Sequence, residues 1–241
     1  MPGELPRLTA LFIGITPLAI LAASLHLLSG PDTRTFFVWL TQENKPVELI
    51  SFAALLFAGL VGLGLCLHLR RLGHDPFQVG FIGVFSLGLL FVAMEEVSWG
   101  QWFLGFDTPD VWREVNRQGE TNLHNIRIIN QLFELLRVAF GLGGLVSIGL
   151  RQHARFRLIA APAMLAPWFL VIAALAGLDV VNIFVKPEYR GLLLSTAAML
   201  VEVLEMLIGL AALLYMLLAR RAALQFLERC LEPASHHGIT A

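Results

Sequence analysis

Charged side chains are scarce in this sequence. Only 15% of the 241 residues are Asp, Glu, Lys or Arg, whereas 57% are hydrophobic and the mean hydropathy is +0.73. Soluble globular domains carry about 25% charged residues. The composition therefore excludes that class and indicates an integral membrane protein. We expect membrane lipids around the chain and no nucleic-acid partner.

Cysteine is also scarce. Cys66 and Cys230 are the only two, and the sequence pattern places them at helix ends on one side of the membrane. This arrangement predicts neither a disulfide framework nor a cysteine metal cluster. The sequence contains no internal repeat, low-complexity tract or long linker, so it predicts a single domain.

Six uninterrupted apolar runs are long enough to cross a bilayer, whose hydrocarbon core of about 30 Å requires about 20 helical residues. They are too long for transmembrane β-strands, which need about 10 residues. The first run exceeds the apolar core of a secretory signal and is therefore predicted to be a span. The predicted fold is an all-α polytopic bundle of six transmembrane helices at approximately residues 8–29, 47–69, 77–104, 130–150, 157–185 and 190–219.

The basic residues predict the orientation of these helices. Both termini and the second and fourth loops share one side, where nine arginines lie close to helix ends. The positive-inside bias then places both termini in the cytoplasm, and we expect the membrane to be a bacterial inner membrane. In this topology residues 1–221 form the transmembrane domain and residues 222–241 form a cytoplasmic tail.

Acidic residues are concentrated on the opposite, outer side, where 14 of the 18 fall in loops or in outer halves of helices. Charged groups within a spanning helix usually face the bundle interior and mark a site. The sequence therefore predicts a polar cavity that is open to the outside. Its predicted lining on helices two to six is Glu48, Glu95, Glu96, Ser98, Gln101, Glu134, Arg137, Asp179, Asn182, Ser195, Glu202 and Glu205.

Two pairs of glutamates carry most of this prediction. Glu202 and Glu205 lie about 12 and 15 residues into the predicted sixth helix, near or beyond the middle of the membrane. Their spacing puts both on one helix face, so a proton, an arginine or a metal cation must offset their repulsion. Glu95 and Glu96 point about 100° apart, so we expect one to face the cavity and the other to hold a neighbouring helix or loop.

The longest loop, residues 105–129, joins the third and fourth predicted helices. Pro109 and Gly119 indicate the beginning and the end of a short helix on the membrane surface. Polar residues then lead directly into the fourth helix. We expect Glu120, Asn122, His124 and Asn125 to form a lid or rim over the cavity, and Arg137 of the fourth predicted helix to join them in contacting a substrate.

Two segments of this region, EEVSWGQ at 95–101 and GETNLHN at 119–125, resemble those of a group of multi-pass membrane proteins with no assigned activity. The two acids of VEVLEM at 201–206 accompany them. The resemblance covers about 30 residues and implies no activity.

A weaker analogy exists to the alkaline ceramidase and adiponectin receptor superfamily, whose helical bundles bind zinc and cleave lipid amides. This chain departs from that pattern. It has six predicted spans, no HxxxH in the last helix, and only His26 and His124 near the outer face. A three-histidine zinc site is therefore not expected.

The predicted site suits two kinds of chemistry. A divalent metal, which could be zinc, iron, manganese or calcium, would have Glu95, Glu96, His124, Glu202 and Glu205 as ligands and a bound water as nucleophile. Without metal, two carboxylates would act as acid and base. The simpler interpretation of His124 is a loop side chain that caps a helix or bonds a carboxylate. The candidate catalytic residues are Glu95, Glu96, Ser98, Gln101, His124 and Asp179.

Three functions stay open, and the favoured one is a hydrolase or transferase acting on a lipid-type substrate. A proton-coupled transporter would use Asp179, Glu202 and Glu205 as a relay, but the inner halves of the helices lack polar residues to complete a path. In an accessory or structural protein, Arg137 would neutralise Glu134 and one cavity acid and so fix helix packing.

Overall fold

The computed structural model describes residues 6–116 and 119–231. This part of the chain is helical, with no β-strand. Its α-helices are α1 (Arg7–Ser29), α2 (Pro31–Leu40), α3 (Pro46–Arg71), α4 (Pro76–Glu96), α5 (Gln101–Leu104), α6 (Asp110–Val115), α7 (Arg127–Leu150), α8 (Ala166–Phe184), α9 (Leu192–Met199) and α10 (Val201–Leu231).

Six of these helices, α1, α3, α4, α7, α8 and α10, are long and apolar enough to cross a membrane. The prediction of an all-α, six-span protein is therefore confirmed. The cytoplasmic placement of the termini stays a prediction. Of the predicted tail, residues 222–231 continue α10, and residues 232–241 lie outside the described part of the chain.

The third predicted span ends earlier than expected. It was predicted to continue to residue 104, but α4 ends at Glu96. Ser98, Trp99 and Gly100 follow with φ values of 47°, 56° and 83°. This left-handed conformation is uncommon for residues other than glycine, and no right-handed helix continues through it.

The sixth predicted span is interrupted, and the prediction of one helix from residue 190 was wrong. α9 ends at Met199, Leu200 has φ −97° and ψ 7°, and α10 begins at Val201. Glu202 therefore lies in the first turn of α10 rather than deep inside a continuous helix. A carboxylate in a first helical turn is stabilised by the positive end of the helix dipole.

Glycines let neighbouring helices approach closely at two contacts of the bundle. A Cβ atom at Gly62 would lie 2.1 Å from the Ser86 hydroxyl oxygen of α4. A Cβ atom at Gly141 would lie 2.7 Å from the backbone nitrogen of Ala173 in α8. These positions fix the α3–α4 and α7–α8 contacts.

The core surrounds α10, which packs against α3 and α8. In its most apolar window 44% of the residues of α10 are buried, compared with only 6% for α7. α7 packs along α8 but makes no extended contact with α4 in the described part of the chain. One side of the bundle is therefore open between α4 and α7.

Candidate functional site

An acidic cavity of about 200 Å³ lies at one end of the bundle. It is formed where α4 and α8 end and where α3, α7 and α10 begin, together with the loop after α6. This arrangement brings together residues that are far apart in sequence. Its lining is Glu43, Glu48, Glu96, Glu120, His124, Asn125, Asn130, Glu134, Arg137, Asp179, Val201, Glu202 and Glu205.

Arg137 connects three helices within this cavity. Its Nη1 atom on α7 donates to Asp179 Oδ2 of α8 at 3.2 Å, and its Nη2 atom donates to Glu205 Oε1 of α10. The side chains are 12–16% exposed. A buried guanidinium with two carboxylates is well satisfied, and losing one partner of such a group is costly.

Other acids of the cavity are held by nearby polar groups. The backbone N–H of Asn44 donates to Glu48 Oε2, and Asn130 Nδ2 donates to Glu134 Oε1 at 2.9 Å. Glu96 and Glu202 differ from them, because neither accepts a hydrogen bond or forms an ion pair with any described residue. These two carboxylates are available to a ligand.

Glu95 has a different role from Glu96. Its side chain is 1% exposed and accepts hydrogen bonds from the Trp99 indole at 2.6 Å and from the backbone N–H groups of Leu123 and His124 at 2.6 and 3.0 Å. The His124 Nδ1 atom lies 3.6 Å from the same carboxylate. Glu95 thus fixes the polar loop onto the end of α4, while Glu96 lines the cavity.

A hydrogen-bonded rim joins the two segments that the sequence pattern singles out. The buried hydroxyl of Ser98 donates to Glu120 Oε2 at 2.6 Å and accepts from Asn122 Nδ2 at 3.0 Å. Gln101 Oε1 accepts from the Thr121 backbone N–H at 2.9 Å. EEVSWGQ and GETNLHN therefore recognise each other within one chain.

The candidate residues thus separate into two sets. Glu96, His124, Asp179, Glu202 and Glu205 share the cavity with Glu120, Asn125 and Arg137. Glu95, Ser98, Gln101 and Asn122 form the anchored rim. Asn182 and Ser195 line no part of the cavity, and Asn182 Nδ2 instead donates to the Leu194 carbonyl at 3.0 Å.

Sequence reasoning missed several contributors. Thr108 accepts from Gln101 Nε2 at 2.7 Å and donates to the Gly119 carbonyl at 2.6 Å. Asn116 Nδ2 donates to both oxygens of Asn122 at 2.8 Å. Glu43 lines the cavity from the loop before α3. Buried polar groups must be paired, so the polar density of residues 107–125 was the available signal.

An apolar cavity of about 390 Å³ adjoins the acidic one between α4 and α7. Four residues line both cavities: Glu96, His124, Arg137 and Glu205. A second apolar cavity of about 320 Å³ continues along the same two helices, and Phe85, Ala139 and Phe140 line both apolar cavities. We call these two apolar cavities together the α4–α7 cleft.

The described side chains of the cavity do not form a preassembled metal site. Among the described residues, no group of three or more His, Cys, Asp or Glu side chains is arranged to hold a metal ion. Of the five predicted ligands, Glu95 is occupied by the rim, and Glu205 is paired with Arg137.

Comparison of the chain with models of protein families, with curated proteins and with solved structures gives no match. The fold and the site define the class of protein. It is a multi-pass membrane protein of six apolar helices with an acidic cavity at one end of the bundle.

Proposed function

We propose that the protein is a membrane-embedded hydrolase or transferase that acts on a lipid-type substrate in the acidic cavity. The observation that carries this proposal is the presence of two carboxylates, Glu96 and Glu202, that have no hydrogen-bond or ion-pair partner among the described residues and lie in a cavity that adjoins an apolar cleft. A purely structural network would use its acids on protein groups. Here two are left for a substrate, a proton or a cation.

The charge of the cavity supports the same proposal. Among the described residues, eight carboxylates and one guanidinium line it, and Arg137 is shared between Asp179 and Glu205. Several negative charges at short range in a space of low dielectric constant must be offset by protons or by a bound cation. Carboxylates that differ in their proton occupancy are the usual components of acid and base catalysis.

In the proposed reaction, one of Glu96 and Glu202 is ionised and the other is protonated. The ionised carboxylate accepts a proton from a water molecule or from an acceptor hydroxyl. At the same time the oxygen of that water or hydroxyl bonds to the electrophilic carbon or phosphorus of the substrate. The bond to the leaving group breaks, and the protonated carboxylic acid donates its proton to that group. His124 and Asn125, which also line the cavity, would position the substrate.

A metal-assisted form of the reaction is a separate proposal. Zinc, iron, manganese or calcium would have Glu96, Glu202 and His124 as its nearest available donors in the cavity and would supply Lewis-acid polarisation of the substrate. Because no described group of three ligands converges, the proton-transfer roles above are assigned to the carboxylates themselves.

A structural or accessory role is the second candidate, and Arg137 favours it. Its ion pairs tie α7, α8 and α10 together at the cavity. In that case Glu96 and Glu202 would be dispensable, and only the residues bonded to Arg137 would affect the protein.

Lipid turnover tests the proposal. Wild type, Glu96→Gln, Glu202→Gln and the exposed control Glu188→Gln would be reconstituted in vesicles of a bacterial total lipid extract. Mass spectrometry would follow the lipids, with and without each added metal, and elemental analysis would measure bound metal. We expect wild type and the control to form a lipid product. We expect the rate of its formation to be lower by about 100-fold or more in the two cavity variants, the usual size of a general acid or base effect.

An unchanged lipid composition with wild type under every metal condition would contradict the enzymatic proposal. Equal turnover by wild type and both cavity variants would contradict the assignment of Glu96 and Glu202. Stoichiometric metal that is lost in Glu202→Gln would favour the metal-assisted form.

A further inference from the structure

The two apolar cavities of the α4–α7 cleft together follow most of the length of α4, beginning beside the acidic cavity. The lining of the cleft on that helix runs from Phe77 to Glu96, a rise of about 28 Å at 1.5 Å per residue. The hydrocarbon core of a bilayer is about 30 Å thick. The cleft therefore has the length of an extended membrane lipid.

The cleft is open sideways, toward the surroundings of the bundle. Val84 on α4 is 73% exposed and Leu136 on α7 is 52% exposed, and both line it. The two helices make no extended contact in the described part of the chain. A molecule in the bilayer can therefore reach the cleft without passing through water.

Aromatic rings give the cleft a firm wall half-way along its length. Phe85 and Phe140, which line both apolar cavities, stack with ring centroids 6.3 Å apart, and Phe85 meets Tyr215 of α10 edge to face at 5.8 Å. Phe140 also contacts Phe169 of α8 at 5.8 Å. Such surfaces pack well against an apolar chain and offer no hydrogen bond to a polar one.

We propose that the α4–α7 cleft holds the hydrocarbon chain of a lipid that enters sideways from the bilayer, and that its headgroup, seated in the acidic cavity, carries an ammonium group. This inference rests on the proposed lipid-processing function and names its substrate class. The acidic cavity and the apolar cleft are adjacent, because Glu96, His124, Arg137 and Glu205 line both.

Charge complementarity selects the headgroup. Among the described residues, eight carboxylates line the cavity, and the guanidinium of Arg137 is already bonded to Asp179 and Glu205. A phosphate or carboxylate headgroup without a cation would meet repulsion there. An ammonium group donates hydrogen bonds and neutralises a carboxylate, and Glu96 lies where the apolar cleft and the acidic cavity meet.

Photolabelling with a defined probe tests the inference on the full chain in vesicles. The probe is a long-chain primary amine with a diazirine midway along its chain, and the comparison probe is the same chain ending in a carboxylate. We expect the amine to label residues of the cleft such as Phe85 or Phe140, as mapped by peptide mass spectrometry. We expect the carboxylate probe to label them at least about tenfold less.

Two variants test binding of the hydrocarbon chain and binding of the headgroup separately. Gly88→Leu places a side chain in the cleft, and its Cβ atom would meet no atom within 4 Å, so the backbone of α4 need not shift. Gly64→Leu is the matched control, because Gly64 is also an exposed helical glycine in open space but lies outside the cleft. Glu96→Gln removes the charge at the junction, with Glu188→Gln as its control.

We expect Gly88→Leu to reduce labelling by both probes and Glu96→Gln to reduce only the preference for the amine. Equal labelling by the two probes in wild type would overturn the ammonium headgroup and leave a general lipid groove. Undiminished labelling of Gly88→Leu would overturn the proposal that the cleft binds the hydrocarbon chain. Because labelling requires no turnover, amine-selective labelling without any lipid product would refute the proposed enzymatic function and leave this inference standing.

Discussion

The carboxylate of Glu95 accepts a hydrogen bond from the backbone N–H of His124 at 3.0 Å, across 29 residues of sequence. Through this bond and its neighbours at Leu123 and Trp99, the end of α4 holds the loop that lines part of the acidic cavity. Glu96 makes no such bond. Two adjacent glutamates of identical chemistry therefore have separate roles, one in the architecture and one in the site.

Glu95→Gln is expected to destabilise the protein. The amide keeps one acceptor oxygen but loses the charge, and hydrogen bonds to charged groups contribute about 1.5–3 kcal/mol compared with about 0.5–1.5 for neutral ones. We expect a loss of about 1–3 kcal/mol, measured by thermal unfolding in detergent. Glu96→Gln is the matched control and should lose little, because Glu96 accepts no hydrogen bond from a described residue. A larger loss for Glu96→Gln than for Glu95→Gln would refute this division of roles.

Arg137→Met is expected to destabilise the bundle by about 3–5 kcal/mol, since removal of one partner leaves buried carboxylates uncompensated. The triple variant with Asp179→Asn and Glu205→Gln should recover much of the loss, because no unpaired charge then remains at this junction. Unfolding free energies in detergent check both. Equal instability of the single and triple variants would show that the guanidinium acts by packing alone.

Glycine positions on α7 give a third prediction. Gly141→Ala is expected to lower the thermal stability and loosen α7 from α8, because the added Cβ would lie 2.7 Å from the Ala173 backbone. Overpacking of this kind costs about 1–3 kcal/mol. Gly149→Ala on the same helix meets no atom within 4 Å and should gain up to about 1 kcal/mol from helix propensity. Similar melting temperatures for the two variants would argue against a close α7–α8 contact.

The fold was largely predictable from the sequence, because six apolar runs and their length are a direct consequence of bilayer thickness. The ends of the spans were less predictable. The break at Leu200 lies between two apolar segments, LLLSTAAM and the beginning of α10, and no proline or glycine marks it. The left-handed turn at Ser98 and Trp99 is equally hidden, since neither residue type favours positive φ.

The candidate site was predictable in composition and not in geometry. That Glu96, Asp179, Glu202 and Glu205 lie near one end of the bundle follows from helix direction, but their individual contacts do not, and Glu202 lies in the first turn of α10. The role of Glu95 as the residue that holds the loop depends on its hydrogen bonds with Leu123, His124 and Trp99, contacts that no helical periodicity encodes. Likewise, the separation of α4 from α7 depends on how α7 packs along α8, through Gly141 and Gly144.

The last prediction concerns Ser98. The surroundings of its hydroxyl indicate a structural role in the hydrogen-bonded rim rather than a role as nucleophile. It is 2% exposed, donates to Glu120 and accepts from Asn122. Ser98→Ala should leave Asn122 with one hydrogen bond fewer and cost about 1–3 kcal/mol, whereas Ser195→Ala, at an exposed position, should change stability by less than about 0.5 kcal/mol. Thermal unfolding of the two variants in detergent measures this difference.

A fluorophosphonate probe, which reacts covalently with activated serines, distinguishes the two roles of Ser98. A serine nucleophile requires an adjacent general base and an accessible hydroxyl. The Ser98 hydroxyl is buried and already donates to the Glu120 carboxylate. We therefore expect no labelling of the wild-type protein. Labelling that disappears in Ser98→Ala would restore Ser98 as a nucleophile and would make Glu120 its base.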